Sequence, residues 1–313
     1  MKKLKSENKY LIVITGPTAI GKTNLAIQLA QHFSAEVVSC DSRQFYKEMT
    51  IGTAVPTAEE LQAAPHHFIQ NKSVFEEYNV GDYEREVIPL LDQLFTKNNV
   101  QILVGGSGLY VDAVLRGFDI FPEVSEDIKE EIEQAFQQSG LGFLQKQLQE
   151  LDPAYFDFLS RTNPQTLVNP QRMKRFVAVC KAANLPYSSF LNQEKNKRNF
   201  IPIVIGLEAP RDEMYQRINH RVDVMMTKGL LHEAASLKEH QHLNALQTVG
   251  YRELFDYFEE KYTLAQAIEE IKKNTRRFAK RQLTWFKRNK DTQWFTYTEP
   301  VDTIIQYIND FTR

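Results

Sequence analysis

The stretch that most restricts the fold runs from Tyr10 to Ala30, YLIVITGPTAIGKTNLAIQLA. An apolar run ends in Gly16-Pro17-Thr18-Ala19-Ile20-Gly21-Lys22-Thr23, and helix-forming residues follow at once. The spacing G-x-x-x-x-G-K-T belongs to a loop whose backbone N–H groups turn inward onto phosphate. Gly16 and Gly21 permit the tight turn, Lys22 adds a positive charge on the outer phosphate, and Thr23 offers its hydroxyl to a magnesium ion, Mg²⁺. Such a loop joins the end of a buried strand to the start of a helix, so it demands a strand–loop–helix unit. Leu25, Ala26, Leu29 and Ala30 then recur at helical spacing.

The alternation continues. AEVVSC, HHFI and NVQILVGG are short apolar runs separated by helical patterns. They predict an α/β fold, P-loop NTPase-like, with a mainly parallel sheet flanked by helices. Ligands on such sheets bind at the carboxyl ends of strands, so Gly16–Thr23, Asp41 and Gly105–Ser107 are expected to converge. Strand signals vanish over residues 121–198, where Asp152-Pro153, Asn163-Pro164 and Asn169-Pro170 read as helix starts. This predicts a small all-helical domain inserted into a core made of 1–120 and 199–313. FIPIVIGLEAP resumes the sheet, Pro210 opens the next helix, and TQWFTYT reads as an edge strand.

At 313 residues, 42% hydrophobic and 25% charged, the composition is that of an ordinary soluble globular chain. Cys40 and Cys180 stand far apart with no ligand spacing, which fits a reducing compartment. The basic start, with Lys2, Lys3 and Lys5, precedes an apolar patch too short for a secretory signal, and no run reaches membrane-spanning length. A cytoplasmic protein with no membrane partner is expected, and with no apolar heptad it is expected to be a monomer. His66, His67, His240 and His242 form no metal set. The net charge of −2 hides a basic segment, Ile271–Lys290, that contains no acidic residue and could meet a polyanion.

Residue types alone leave the chemistry open. Asp41-Ser42 reads equally as a helix cap and as a catalytic carboxylate beside the loop. Arg217 and Arg221 share a helical face that could be merely solvated, and so could QRMKR at 171–175. A small-molecule kinase using ATP, an RNA-binding ATPase or scaffold, and a group-transfer enzyme releasing diphosphate all remain compatible with the loop.

Longer segments narrow the choice. GPTAIGKTNLA, DSRQFYKEMTIGTAVPTAEE, APHHFI, GGSGLYVDAVLRG, NPQRMKRFVAV, RINHRVDVMMTKGLLHEA, TVGYRE and RRFAKRQLTWFKR together resemble the bacterial tRNA dimethylallyltransferases, also called tRNA isopentenyltransferases. The resemblance runs in order from Gly16 to Arg288. Two departures stand out: Gly105-Gly106-Ser107 replaces the family's usual Gly-Gly-Thr, and Gln70 stands where an Asp often follows the His-His stretch. The resemblance implies transfer of a dimethylallyl group from dimethylallyl diphosphate to the exocyclic amine of the adenine 3′ to the anticodon. It implies Mg²⁺ as cofactor and the tRNA anticodon stem-loop as partner. Carried onto this chain, it makes Asp41 the base, Ser107 a hydrogen-bonding partner and Arg221 a diphosphate ligand. It assigns Asp41, Ser42, Arg43, Gln44 and Ser107 to the target nucleotide and its neighbours. Gln171, Arg172, Met173, Lys174 and Arg175 of the insert, with Tyr251, Arg252, Arg277, Lys280 and Arg281, are implied to meet tRNA. Trp285 and Phe286 are expected to pack into the core.

Overall fold

The computed structural model describes residues 8–191 and 197–312, so Lys2, Lys3 and Lys5 of the basic start lie outside the described residues. The chain divides into two compact units, Met1–Arg116 with Arg198–Arg313, and Gly117–Lys197.

In the first unit, β1 (Tyr10–Thr15) leads into α1 (Lys22–Phe33), β2 (Val37–Ser39), α2 (Ala58–Ala63) and β3 (His66–His67). Next come α3 (Val80–Lys97), β4 (Val100–Val104) and α4 (Gly108–Arg116). The second unit holds α5 (Glu126–Leu151), α6 (Pro153–Thr162), α7 (Pro164–Leu167) and α8 (Pro170–Ala183). The first unit resumes with β5 (Ile201–Glu208), α9 (Arg211–Thr227), α10 (Leu230–Ser236), α11 (Tyr251–Phe258) and α12 (Leu264–Phe286). It ends in β6 (Gln293–Thr296) and α13 (Val301–Phe311).

The strands form one sheet in the order β3-β2-β4-β1-β5-β6, and every pairing is parallel. All six residues of β1 are buried, as a central parallel strand covered on both faces requires. Its side chains alternate between two cores. Tyr10, Ile12 and Ile14 join Ile102, Ile203 and Ile205 under α1 and α13. Leu11 and Val13 join Leu103 and Val204 under α3 and α4. Each fully buried aliphatic side chain contributes ~1.5–3 kcal/mol, so these two layers hold the strand ends in place. The edge strands are short, two residues in β3 and four in β6.

The helical unit has its own core, in which Ile132, Leu144 and Leu148 of α5 meet Met173, Val177 and Cys180 of α8. Gly140, at φ 69°, breaks α5 into two helical segments. Asp152 and Asn169 cap their helices as expected, accepting from the backbone N–H of Tyr155 and Arg172. Asn163 makes no side-chain cap bond; it is at once the C-cap of α6 and the N-cap of the four-residue α7. Pro210 is the N-cap of α9 rather than its first helical residue.

Candidate active site

β1, β4 and β2 are neighbours in the sheet, so the loops leaving their carboxyl ends are neighbours too. The loop after β1 is wound tightly. Gly16 has φ 144°, and a Cβ there would lie 2.7 Å from the Leu207 carbonyl oxygen of β5. Ala19 (φ 63°) and Gly21 (φ 107°) are also left-handed. Gly21 caps α1 without a side chain, which leaves the first amides of that helix open to an anion.

Three cationic side chains lean on this loop. Lys22 Nζ donates to the Pro17 carbonyl at 2.8 Å, Arg221 Nη1 to the Thr18 hydroxyl at 3.0 Å, and Arg217 Nε to the Ala19 carbonyl at 2.9 Å. Burial pulls the Lys22 ammonium down to about 8, Asp41 opposes this and Arg221 adds to it. Burial also lowers Arg221, and again the Asp41 carboxylate pulls the other way. Asp41 therefore stands close enough to both cations for its charge to be felt at the phosphate loop. Arg217, the more exposed of the helical pair, lies over the Tyr297 ring at 4.7 Å.

The Asp41 turn and the Gly105-Gly106-Ser107 turn are interlocked. A Cβ on Gly105 would meet Cys40 Sγ at 2.6 Å. Ser107 Oγ accepts from the Ser42 N–H at 3.0 Å and lies 3.0 Å from Ser42 Oγ. Asp41 Oδ1 accepts from the Arg43 N–H at 3.2 Å, which fixes the carboxylate while leaving Oδ2 turned toward Gly106. Gln282, buried on α12, reaches both loops: its Oε1 accepts from the Thr18 N–H and its Nε2 donates to the Gly106 carbonyl, each at 2.9 Å.

These groups border a cavity of about 740 Å³, whose walls include Thr18, Asp41, Ser42, Ser107 and Arg221. Arg252, Arg277 and Arg281 line it as well, with Phe278 and Trp285. The loop carrying Gly52 and Thr53 closes one side and is held from below. Glu233 accepts from the backbone N–H groups of Thr50, Ile51 and Gly52 at 3.0, 2.7 and 2.9 Å, and from the Tyr251 hydroxyl at 2.6 Å. Glu253 does the same for the Gly250 turn, accepting from its N–H and from Asn274 Nδ2, each at 2.8 Å.

The arrangement combines an anion nest, a carboxylate facing it and a cationic rim. Residues 44–289 match the family model described as IPP transferase. The chain belongs to this family. A tRNA dimethylallyltransferase of Flavobacterium johnsoniae is 62% identical over 96% of this chain and 97% of its own length. That of Christiangramia forsetii is 50% identical over 96% and 98%. Among solved structures, the tRNA isopentenylpyrophosphate transferase of Bacillus halodurans is 36% identical with a TM-score of 0.69, covering 97% of this chain and 95% of that one. A eukaryotic dimethylallyltransferase acting on tRNA is 25% identical with a TM-score of 0.82, covering 97% and 79%.

In this IPP transferase the residues expected from the sequence fall into distinct groups. Asp41, Ser42, Arg43, Ser107, Arg221, Arg252, Arg277 and Arg281 share the cavity. Gln44 does not line it: its Nε2 donates to the Thr53 and Ala54 carbonyls and braces the Gly52 loop. Gln70 braces the same region through the Lys47 carbonyl and the Thr50 hydroxyl, at 3.1 and 2.8 Å. Lys280 is exposed on a face of α12 outside the cavity lining.

Two residues expected to meet RNA are buried instead. Tyr251 is fully enclosed, its ring packed on Gly52 and its hydroxyl spent on Glu233. Met173 is fully enclosed in the core of the helical unit. Lys174 is committed to Glu133 at 2.5 Å and lies over the Phe136 ring. Gln171, Arg172 and Arg175 are exposed on α8. Phe286 is core and Trp285, half-buried, packs against the same core, as expected; Trp285 also lines the cavity and donates to Asp112 Oδ2 at 3.0 Å. Gln282 and Glu233 were not singled out from the sequence.

Proposed function

We propose that this chain transfers the dimethylallyl group of dimethylallyl diphosphate to the N6 amine of the adenosine 3′-adjacent to the anticodon in tRNA, releasing diphosphate. The observation that carries this reading is that Asp41 shares one cavity with Thr18 of the phosphate loop and with Arg221, and that its charge is felt at both Lys22 and Arg221. The names borne by the relatives favour it over ATP-dependent kinase or ATPase chemistry.

The diphosphate lies in the loop amides, with Lys22 and Arg221 on its oxygens. As the allylic carbon–oxygen bond breaks, charge gathers on the departing oxygen, and these fixed cations stabilise it. The N6 lone pair of the everted adenine forms the carbon–nitrogen bond, and the N6 proton passes to an Asp41 oxygen. Ser107, tied to Ser42, orients the amine. Arg252, Arg277 and Arg281 neutralise phosphates of the anticodon loop, and Arg43 borders the base. Gln171, Arg172 and Arg175 of the helical unit add contacts to the stem-loop.

Mg²⁺ fits the donor set in one way. Among the described residues no cluster of three His, Cys, Asp or Glu side chains could cage a metal. The half-exposed Thr23 hydroxyl at the first turn of α1 suits an ion held mainly by diphosphate oxygens and water. Bound there, Mg²⁺ would neutralise leaving-group charge. Among the described residues no helix is long and apolar enough to cross a membrane, and the proposal places the reaction in the cytoplasm on a single chain.

The decisive experiment incubates the protein with Mg²⁺, unmodified tRNA and dimethylallyl diphosphate labelled in the prenyl group. Label is expected in the RNA. Its absence, or phosphate transfer from labelled ATP to a small molecule, would overturn the proposal.

The Lys22 shift gives a pH dependence of known sign. The free ammonium is charged below about 8 and neutral above, whereas a diphosphate in the loop holds the proton on. Affinity for dimethylallyl diphosphate is expected to fall as pH rises from 7 to 9, by up to ~10-fold per pH unit above 8. Calorimetry at pH 8.5 in buffers of different ionisation enthalpy is expected to register proton uptake. Lys22→Met should abolish that uptake, and a pH-independent affinity in the parent protein would contradict the assignment.

A further inference from the structure

We infer that Gln282 is a positioning residue that sets the separation between the leaving diphosphate and the proton acceptor, an inference that rests on the prenyl-transfer reading above. The side-chain amide of Gln282 spans the two halves of the site. Thr18 N–H belongs to the phosphate loop and can only donate; the Gly106 carbonyl belongs to the turn beside Asp41 and can only accept. Their bonds to Oε1 and Nε2, each at 2.9 Å, therefore fix the amide in one orientation. Only an amide of this length offers an acceptor and a donor at once: Glu and Met each lack the donor, and Asn is one methylene short.

The bridge connects onward at both ends. On the phosphate side, the Thr18 hydroxyl receives Arg221. On the base side, Ser107 follows Gly106 and holds the Ser42 backbone and hydroxyl. The Gly106-Ser107-Gly108 turn is flush against α12 at two points. A Cβ on Gly106 would collide with Gln282 Nε2, and one on Gly108 with the Trp285 ring. Trp285 lies nearly one turn beyond Gln282, and its bond to Asp112 pins α12 to α4. Gln282 is thus held rigidly, buried on the cavity wall, with both polar ends committed to backbone groups that carry the reacting partners.

The role predicts a loss in the chemical step with binding retained, since a misplacement of about 1 Å costs ~10²-fold in rate. Single-turnover prenyl transfer and equilibrium binding of tRNA and of dimethylallyl diphosphate would be measured for Gln282→Met, Gln282→Glu, Gly106→Ala and the Gln282→Met/Gly106→Ala pair. Each folded single variant is expected to transfer the prenyl group ~10²-fold more slowly with both affinities near those of the parent. The pair is expected to be no slower than the slower single variant, because both changes break the same bridge. Should Gln282→Met fail to fold, Gln282→Glu, which keeps the Thr18 bond, carries the test. Parental rates in a folded Gln282 variant, a loss confined to substrate affinity, or multiplicative losses in the pair would overturn the inference. An inactive parent protein would instead overturn the prenyl-transfer reading itself.

Discussion

Asp41→Asn is expected to fold, to bind dimethylallyl diphosphate and tRNA, and to transfer the prenyl group ~10²–10⁴-fold more slowly. Asn keeps an oxygen where Oδ1 accepts the Arg43 N–H, so the turn after β2 has no reason to open. It also fills the same volume between Gly106 and the cavity. What it removes is the negative charge that is proposed to receive the N6 proton and that acts on Lys22 and Arg221. An exocyclic adenine amine has its lone pair delocalised into the ring, and its nitrogen becomes strongly acidic only as the new bond forms. A fixed acceptor therefore acts late, on the chemical step, and leaves binding largely alone. Single-turnover kinetics at saturating substrates isolate that step. A variant with the parental rate would take Asp41 out of the reaction.

Arg221→Ala is expected to cost ~10²–10³ in the same step, the loss seen when one pre-organised charge-stabilising donor is removed. Arg221 is half-buried, bonded to the Thr18 hydroxyl and within the field of Asp41. Charge on the bridging oxygen grows only as the allylic bond breaks, so the turnover number should fall further than diphosphate affinity. Arg221→Lys is expected to recover only part of the rate: an ammonium on a flexible stem supplies charge but not the fixed planar fork. If the alanine variant lost affinity alone, Arg221 would be a binding residue and the stabilisation of the leaving oxygen would rest on Lys22.

The sequence spoke most clearly where structure is local. The G-x-x-x-x-G-K-T spacing and the long apolar runs of β1, β4 and β5 announced a parallel sheet because a strand buried on both faces cannot hide its composition. β2 and β3 were legible as AEVVSC and HHFI, but they take up only three and two residues of those runs, too little chain for the sequence to fix their ends. Met173 was legible in principle: Met173, Phe176, Val177 and Cys180 recur at helical spacing and all face the core. The basic character of QRMKR drew it into the RNA set instead. On α12 the same counting separates Arg277 and Arg281, which share a face with Asn274, Phe278 and Trp285, from Lys280. Glu233 and Gln282 lie inside segments that carry the family resemblance, but nothing local marks what either side chain does. Each works through partners far away in the chain, Glu233 on the loop at 50–52 and Gln282 on Thr18 and Gly106. Nothing short of the folded topology brings those groups together.

The bridge from Gln282 to Thr18 also has a bearing on how the protein is made. The phosphate loop emerges from the ribosome well before α12, which completes the wall around it. Until that last basic helix is free to dock, a growing polypeptide carries an unfinished catalytic centre. Translation that stops before α12 would leave a fragment with an exposed anion trap and no bridge to the turn beside Asp41, so competence arrives only once α12 has been made.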